Sequence, residues 1–374
     1  MDNGQPDRES VSFPKRRSRL LRSRTFQILI GFAITVACLA WALWMIKSGR
    51  SWQAVFHEIA AAFRQADYRT LVFLWVILAV FYWIKAFRWR LLLRPVGNFD
   101  STRDLLPSLM AGFAYNNILP LRAGEFIRVW LFSKSHRVPM STSLATVAVE
   151  RILDALTILV LLAIGVSHLE HVSPDVEKIV KTGGAIFSSV AVCIVVYLVW
   201  TQPFLKFAGW CLAHLPLAPA RFGQSILGML DAASFGLVAL KRGGLLGGIV
   251  ATSLAQWLLN AIYIAAAVSA FGIQLPWDGA LVLMGVVAFG VAVPSAPGFF
   301  GVMQVYFLLV LKMYQYRPDQ IVAASIYYQL SQFVPVTLIG VLCGNRLGFR
   351  VADVRVGAQP SSPEAAGQHD KPSN

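Results

Sequence analysis

The 374 residues are 56% apolar and 14% charged, with a mean hydropathy of +0.60, whereas an average soluble domain is about 45–50% apolar and roughly 25% charged. Thirty-three Lys and Arg against 19 Asp and Glu leave a formal charge of +14. Several apolar runs reach the ~20 residues that cross a bilayer core. This excludes a string of soluble domains, and with them the basic stripe that a nucleic-acid surface requires.

In chain order, residues 1–24 are polar and Ser-rich and carry Lys15, Arg16, Arg17, Arg19, Arg22 and Arg24. They read as a disordered basic tail on the cytoplasmic side. The run 26–46 is too long for the apolar part of a cleaved signal peptide and reads as a retained anchor. Run 71–91 follows, closed by Lys85, Arg88, Arg90 and Arg94, which read as a second cytoplasmic edge. Next comes an apolar stretch, 105–119, broken at 120–124 (PLRAG) and resumed over 125–134. Each half is shorter than the ~30 Å hydrocarbon core when helical, so the pair reads as a re-entrant hairpin. Irregular backbone at that depth requires protein or a water-filled cavity around it.

Run 143–166 leads to an acidic loop with Glu170, Asp175 and Glu177, and run 179–201 returns. Residues 202–242 form a linker in which 222–240 reads as interfacial. A short seventh span is the alternative there, and it would make the two repeats parallel. Run 244–271 exits, and a second broken stretch (281–293, break 294–298, then 299–313) is the second hairpin. Run 320–343 returns to Arg346, Arg350 and Arg355, and residues 353–374 read as a disordered tail. The expected domains are thus two tails around a transmembrane unit, 25–352. The fold class is all-α and polytopic, with six long transmembrane helices and two re-entrant hairpins.

Pro120 and Pro297 stand 177 positions apart, as do Gly124 and Gly301. The same offset carries run 71–91 into 244–271 and run 143–166 onto 320–343. Repeat one is therefore 71–166 and repeat two 244–343. Alternating the runs from a cytoplasmic N-terminus makes them inverted in topology, the architecture that places substrate sites between discontinuous helices. Both termini are then cytoplasmic.

Polar residues at membrane depth gather in repeat one: Asn116, Asn117, Arg122, Glu125, Arg128, Glu150, Arg151 and Asp154. A charge there costs roughly 2.5–3.5 kcal/mol even on a lenient insertion scale. Glu150, Arg151 and Asp154 share one stretch of helix surface. They read either as a buried ion-pair network or as the lining of a headgroup path, and the two can coexist. After Gly124 a new half-helix presents its N-terminus, and with Arg122 and Arg128 it suits a phosphate, Glu125 balancing one arginine. Ser295, Pro297, Gly298, Gly301 and Gln304 repeat that break without charge. His168 and His171 have a metal-like spacing without a third ligand, and the four cysteines show no zinc or disulfide spacing. Neither HExxH, GxSxG nor a Walker-type motif occurs. No metal, cofactor or enzymatic activity is therefore expected.

The segments NNILPLRAGEFIRVWLFSK, STSLATVAVERILDALTILVLL and VPSAPGFFGVMQ resemble the lysylphosphatidylglycerol synthase transmembrane-region family, also called flippase-like domain proteins, over roughly 70–345. The resemblance rests on LPxRxGExxR (Leu119 to Arg128), ERxxD (Glu150 to Asp154) and PGxxG (Pro297 to Gly301). It implies movement of a phosphate-bearing lipid between leaflets of the bacterial inner membrane: a phospholipid, an aminoacyl-phospholipid or a polyprenyl-phosphate-linked lipid. A non-transporting lipid-binding accessory of an envelope lipid or glycan pathway is the alternative. The expected partners are such lipids, with a second copy or a pathway enzyme beside them. The chain is expected to be a stand-alone member without the soluble synthase domain. Phe299 stands where the family usually has a second Gly, and Gln304 where it commonly has Glu, so proton coupling through the second break does not carry over.

Overall fold

The computed structural model describes residues 51–95, 97, 99–119, 122–168, 243–292 and 297–349, with single positions 40, 41, 44 and 189. The expected runs 26–46 and 179–201, the linker and both tails lie outside the described residues, as do Pro120 and Ser295. Among the described residues every element is helical. In chain order they are α1 (Trp52–Gln65), α2 (Thr70–Leu93), α3 (Thr102–Ile118), α4 (Gly124–His136), α5 (Met140–Ser167), α6 (Gly243–Ser269), α7 (Trp277–Ala292), α8 (Val302–Leu311) and α9 (Pro318–Arg346). One-turn 3-10 segments follow at Pro297–Phe299 and Lys312–Tyr314.

Local chemistry sets the helix starts. The Ser51 hydroxyl accepts from the Ala54 amide at 3.3 Å, and the Ser101 hydroxyl from the Arg103 amide at 3.1 Å. Each satisfies a donor that the first turn leaves free. Pro318 opens α9, where its missing N–H is no loss. The breaks lie where the prolines and glycines predict: α3 ends at Ile118 and α4 starts at Gly124, while α7 ends at Ala292 and α8 starts at Val302.

Among the described residues, three helices are long and apolar enough to cross a membrane: α2, α6 over Leu245–Ser269, and α9. Helix α5 has 28 residues, about 42 Å of rise, but carries Glu150, Arg151 and Asp154 midway. Outward side chains are themselves apolar: Val72, Phe73, Val76 and Val80 on α2, and Val334, Leu338, Ile339 and Leu342 on α9. A helix that is apolar around its whole circumference needs hydrocarbon on its open face. The chain is a membrane protein.

Shifted by 177 residues, α2 to α5 fall on α6 to α9 to within four residues at every end. Packing follows the same correspondence. Helix α3 lies on α9 and its counterpart α7 lies on α5, while α2 lies on its own counterpart α6. Within each set the two half-helices also pack, α3 on α4 and α7 on α8. The sets therefore interlock rather than sit side by side. Glycines make the crossings close: a Cβ on Gly340 would run into the Met110 carbonyl and Ala114, and one on Gly165 would stand 2.9 Å from the Asp278 carbonyl.

A candidate lipid-headgroup cavity at a buried charge cluster

Helix α5 turns Glu150 and Asp154 inward, 0% and 4% exposed. Arg128 of α4 clamps Glu150 through both terminal nitrogens, at 3.3 Å to Oε1 and 2.8 Å to Oε2. Its guanidinium also stacks 3.8 Å from the centre of the Trp89 ring. Two cations from α2 complete the cluster. Arg88 Nη1 donates to Asp154 Oδ1 at 2.7 Å and to the Ser253 hydroxyl at 3.0 Å. Lys85 Nζ lies 3.6 Å from Glu150 and 3.5 Å from Asp154. From α6, Gln256 and Trp257 donate to the same Asp154 oxygen. Such a network holds only with its partners in place, because a buried charge left single is strongly destabilising.

Beside this cluster, between the two helix sets, lies a cavity of about 500 Å³, within the size range of small-molecule sites. Its lining includes Lys85, Arg122, Glu125, Arg151 and Asp154. Arg151, one-third exposed at its side chain, reaches Glu150 at 2.7 Å, Asp154 at 3.5 Å and Glu125 at 3.9 Å. Arg122 enters from the first break, at a left-handed φ of 54°, and donates to the Val291 carbonyl at 3.0 Å near the end of α7. It thus stands where a cation complements that helix's C-terminal dipole. Asp154 Oδ2, Arg151 Nε and Asn116 Oδ1 are buried without a hydrogen-bond partner.

The second set supplies the other wall: Asn260, Tyr263, Gly298, Phe299, Tyr328, Gln329 and Gln332. At the 177-residue offset from Glu150, Arg151 and Asp154 stand Tyr327, Tyr328 and Ser331, so hydroxyls replace charges. Phe299 matches Arg122 at that offset and shares its left-handed backbone, with φ 58°. Gly298 and Gly301 are left-handed as well, at 77° and 83°, conformations open to glycine without strain.

The sequence-derived residues divide by place. Arg122, Glu125, Arg151, Asp154, Asn117 and Gly298 line the cavity, and Asn117 also donates to Thr337 of α9 at 2.9 Å. Arg128 and Glu150 stand behind it, locked to each other. Gly124 serves close packing: a Cβ there would strike the Gly112 carbonyl and the Asn116 amide. Gln304 accepts from the Gly301 amide at 2.7 Å and donates to Gln329 at 2.9 Å, bracing the second break from outside the cavity. Pro297 opens the 3-10 turn of that break. Ser295 lies outside the described residues.

A family model for the lysylphosphatidylglycerol synthase TM region matches residues 28–340. The chain belongs to that family. It is 35% identical over 103 residues to a UPF0104 membrane protein of Methanothermobacter thermautotrophicus, covering 26% of this chain and 29% of that protein. It is 28% identical over 142 residues to Glycosyltransferase AglD of Haloferax volcanii, covering 38% of this chain and 21% of that protein. The chain thus spans under a third of either relative.

Two cluster residues contradict their reading from sequence in this family member. Lys85 and Arg88 read as edge charges closing run 71–91, yet they are 3% and 0% exposed and paired with the α5 carboxylates. Packing of α2 against α6 swings them inward, while Arg94 on the same cluster stays exposed. Their i,i+3 spacing, matching that of Arg151 and Asp154, is the signal that would have found them. Gln256 and Trp257 gave none, being ordinary residues of an apolar run.

Proposed function

We propose that the protein is a lipid translocase that moves a phosphate-bearing lipid between the leaflets of a bacterial inner membrane. The carrying observation is the cavity between the two helix sets, with Lys85, Arg122 and Arg151 at its wall. The headgroup phosphate would meet Arg151, Arg122 and Lys85 there, and Arg128, Glu150, Asp154 and Glu125 would hold those cations in register. On this reading the breaks after α3 and α7 are the turns of two re-entrant hairpins, part of a unit spanning 25–352. The helix sets then form an inverted repeat with six long spans and both termini cytoplasmic. The protein acts without catalysis, with membrane lipids as its partners.

The test is reconstitution into liposomes carrying a fluorescent phospholipid, with leaflet exchange read by quenching from outside. Wild type exchanges lipid, and Arg151→Ala slows exchange at least tenfold while keeping the wild-type elution profile. Unchanged exchange in a folded Arg151→Ala protein sinks the reading. The similarity to Glycosyltransferase AglD favours a second reading, a non-transporting lipid-binding accessory of a glycan pathway. Lipid binding that depends on Arg151 without exchange by the purified protein selects it.

A further inference from the structure

We propose that the headgroup this cavity selects is a phosphate with two negative charges, on a phosphomonoester or diphosphate lipid, rather than a phosphodiester or an aminoacylated lipid. The inference rests on the reading of the cavity as a lipid site and names the class of lipid.

Charge count carries it. Among the described residues, the network joins Lys85, Arg88, Arg128 and Arg151 to Glu150 and Asp154. Glu125 and Arg122 add one of each sign at the cavity wall. Two positive charges remain in excess, in a protein interior surrounded by apolar helices, where uncompensated charge is expensive.

Geometry then shows which cations of the network reach the cavity. Arg128 uses both terminal nitrogens on Glu150, and Arg88 uses Nη1 on Asp154 and Ser253; neither lines the cavity. The carboxylates are thereby taken up from behind. Lys85 and Arg151 approach the same carboxylates from the front, and both line the cavity. A Lys ammonium and an Arg fork meeting at one wall suit a phosphate with several free oxygens.

A guest with two negative charges closes the count, and a phosphodiester leaves one cation over. An aminoacylated headgroup brings a further ammonium. The carboxylates available to it among the described lining residues, Glu125 and Asp154, both already lie within 4 Å of Arg151. The lining residues of the second helix set, Asn260, Gln329, Gln332 and tyrosines among them, are uncharged and offer such an ammonium no ion pair.

The experiment measures equilibrium binding to the purified full-length protein in detergent, by titrating lipids of identical acyl chains. The lipids are phosphatidic acid, phosphatidylglycerol and lysyl-phosphatidylglycerol. Inorganic pyrophosphate is the water-soluble arm. At pH 7 the phosphomonoester has mostly lost its second proton, whose pKa is about 6. Phosphatidic acid is expected to bind at least tenfold tighter than phosphatidylglycerol, about 1.4 kcal/mol, with lysyl-phosphatidylglycerol weakest. Lys85→Met brings the first two to within about threefold. Equal binding of phosphatidylglycerol, or tightest binding of the aminoacylated lipid, overturns the proposal whether or not the variant folds. So does pyrophosphate that binds as tightly as phosphatidic acid, which would mark a site for free anions. The translocase reading fails separately: the expected order without leaflet exchange overturns that reading alone, and exchange without the order overturns this one alone.

Discussion

Glu150 is the residue on which the cluster turns, because it accepts from Arg128 and Arg151 and lies within 3.6 Å of Lys85 and Arg88. Glu150→Gln keeps the shape of the side chain but leaves Arg128 buried without its anion. Breaking a buried pair from one side costs about 3–5 kcal/mol. Thermal unfolding in detergent is expected to show a clear loss of stability. Removing the cation as well, in Arg128→Met with Glu150→Gln, should recover part of it, since residues in one network couple by about 0.5–3 kcal/mol. Additive losses would mean that the two side chains act independently. The sequence disclosed this centre incompletely, for a physical reason. Charges inside an apolar run announce their own burial, so Glu150, Arg151 and Asp154 were legible. Lys85 and Arg88 stand toward the end of a run, where flanking cations at a membrane edge look the same until α2 is packed. Arg128 was legible as a functional charge, but its orientation toward Trp89 and Glu150, away from the cavity, depends on the crossing of α4 with α2 and α5.

At the scale of the helix, close approach rather than side-chain interdigitation sets the architecture where α3 crosses α9 and α7 crosses α5. Gly340 faces the Met110 carbonyl directly, so Gly340→Ala must push two helices apart. Overpacking of this kind costs about 1–3 kcal/mol. Gly247 on α6 has nothing within 4 Å of an added Cβ. Gly247→Ala is therefore expected to be neutral or stabilising by up to about 1 kcal/mol, through helix propensity alone. Unfolding midpoints of the two variants should move in opposite directions, or only the first should move. A fall of equal size in both would show that the crossing is not tight. Helix ends were the most legible feature at this scale, because prolines and glycines act locally; α5 and α9 run only one to three residues beyond each end of the apolar runs that foretold them. The 14-residue α1 was not foreseen, since its apolar residues are interrupted by His57, Glu58 and Arg64 and make no run.

For the molecule as a whole, the recurrence of four helices at one offset, with α2 against α6 and each set's α3 or α7 against the other's long helix, is the contact pattern of two units related by a two-fold axis. Such an axis can lie along the membrane normal or within its plane, and contacts alone do not distinguish the two. They differ in the edges at which the proposed hairpins enter. The in-plane axis places the start of α3 on the cytoplasmic side and the start of α7 outside. Asp100 and Gln274 are exposed positions just before those two starts. In a background with Cys38, Cys193, Cys211 and Cys343 replaced by serine, Gln274→Cys is expected to react with a membrane-impermeant maleimide in right-side-out vesicles. Asp100→Cys is expected to react only after inversion or permeabilisation. Labelling of both from one side would place the axis along the normal and make the units parallel. The cavity would then lack the two-sided symmetry through which a single site can face each leaflet in turn, and the translocase reading would lose its architectural support even if the cation wall still bound phosphate.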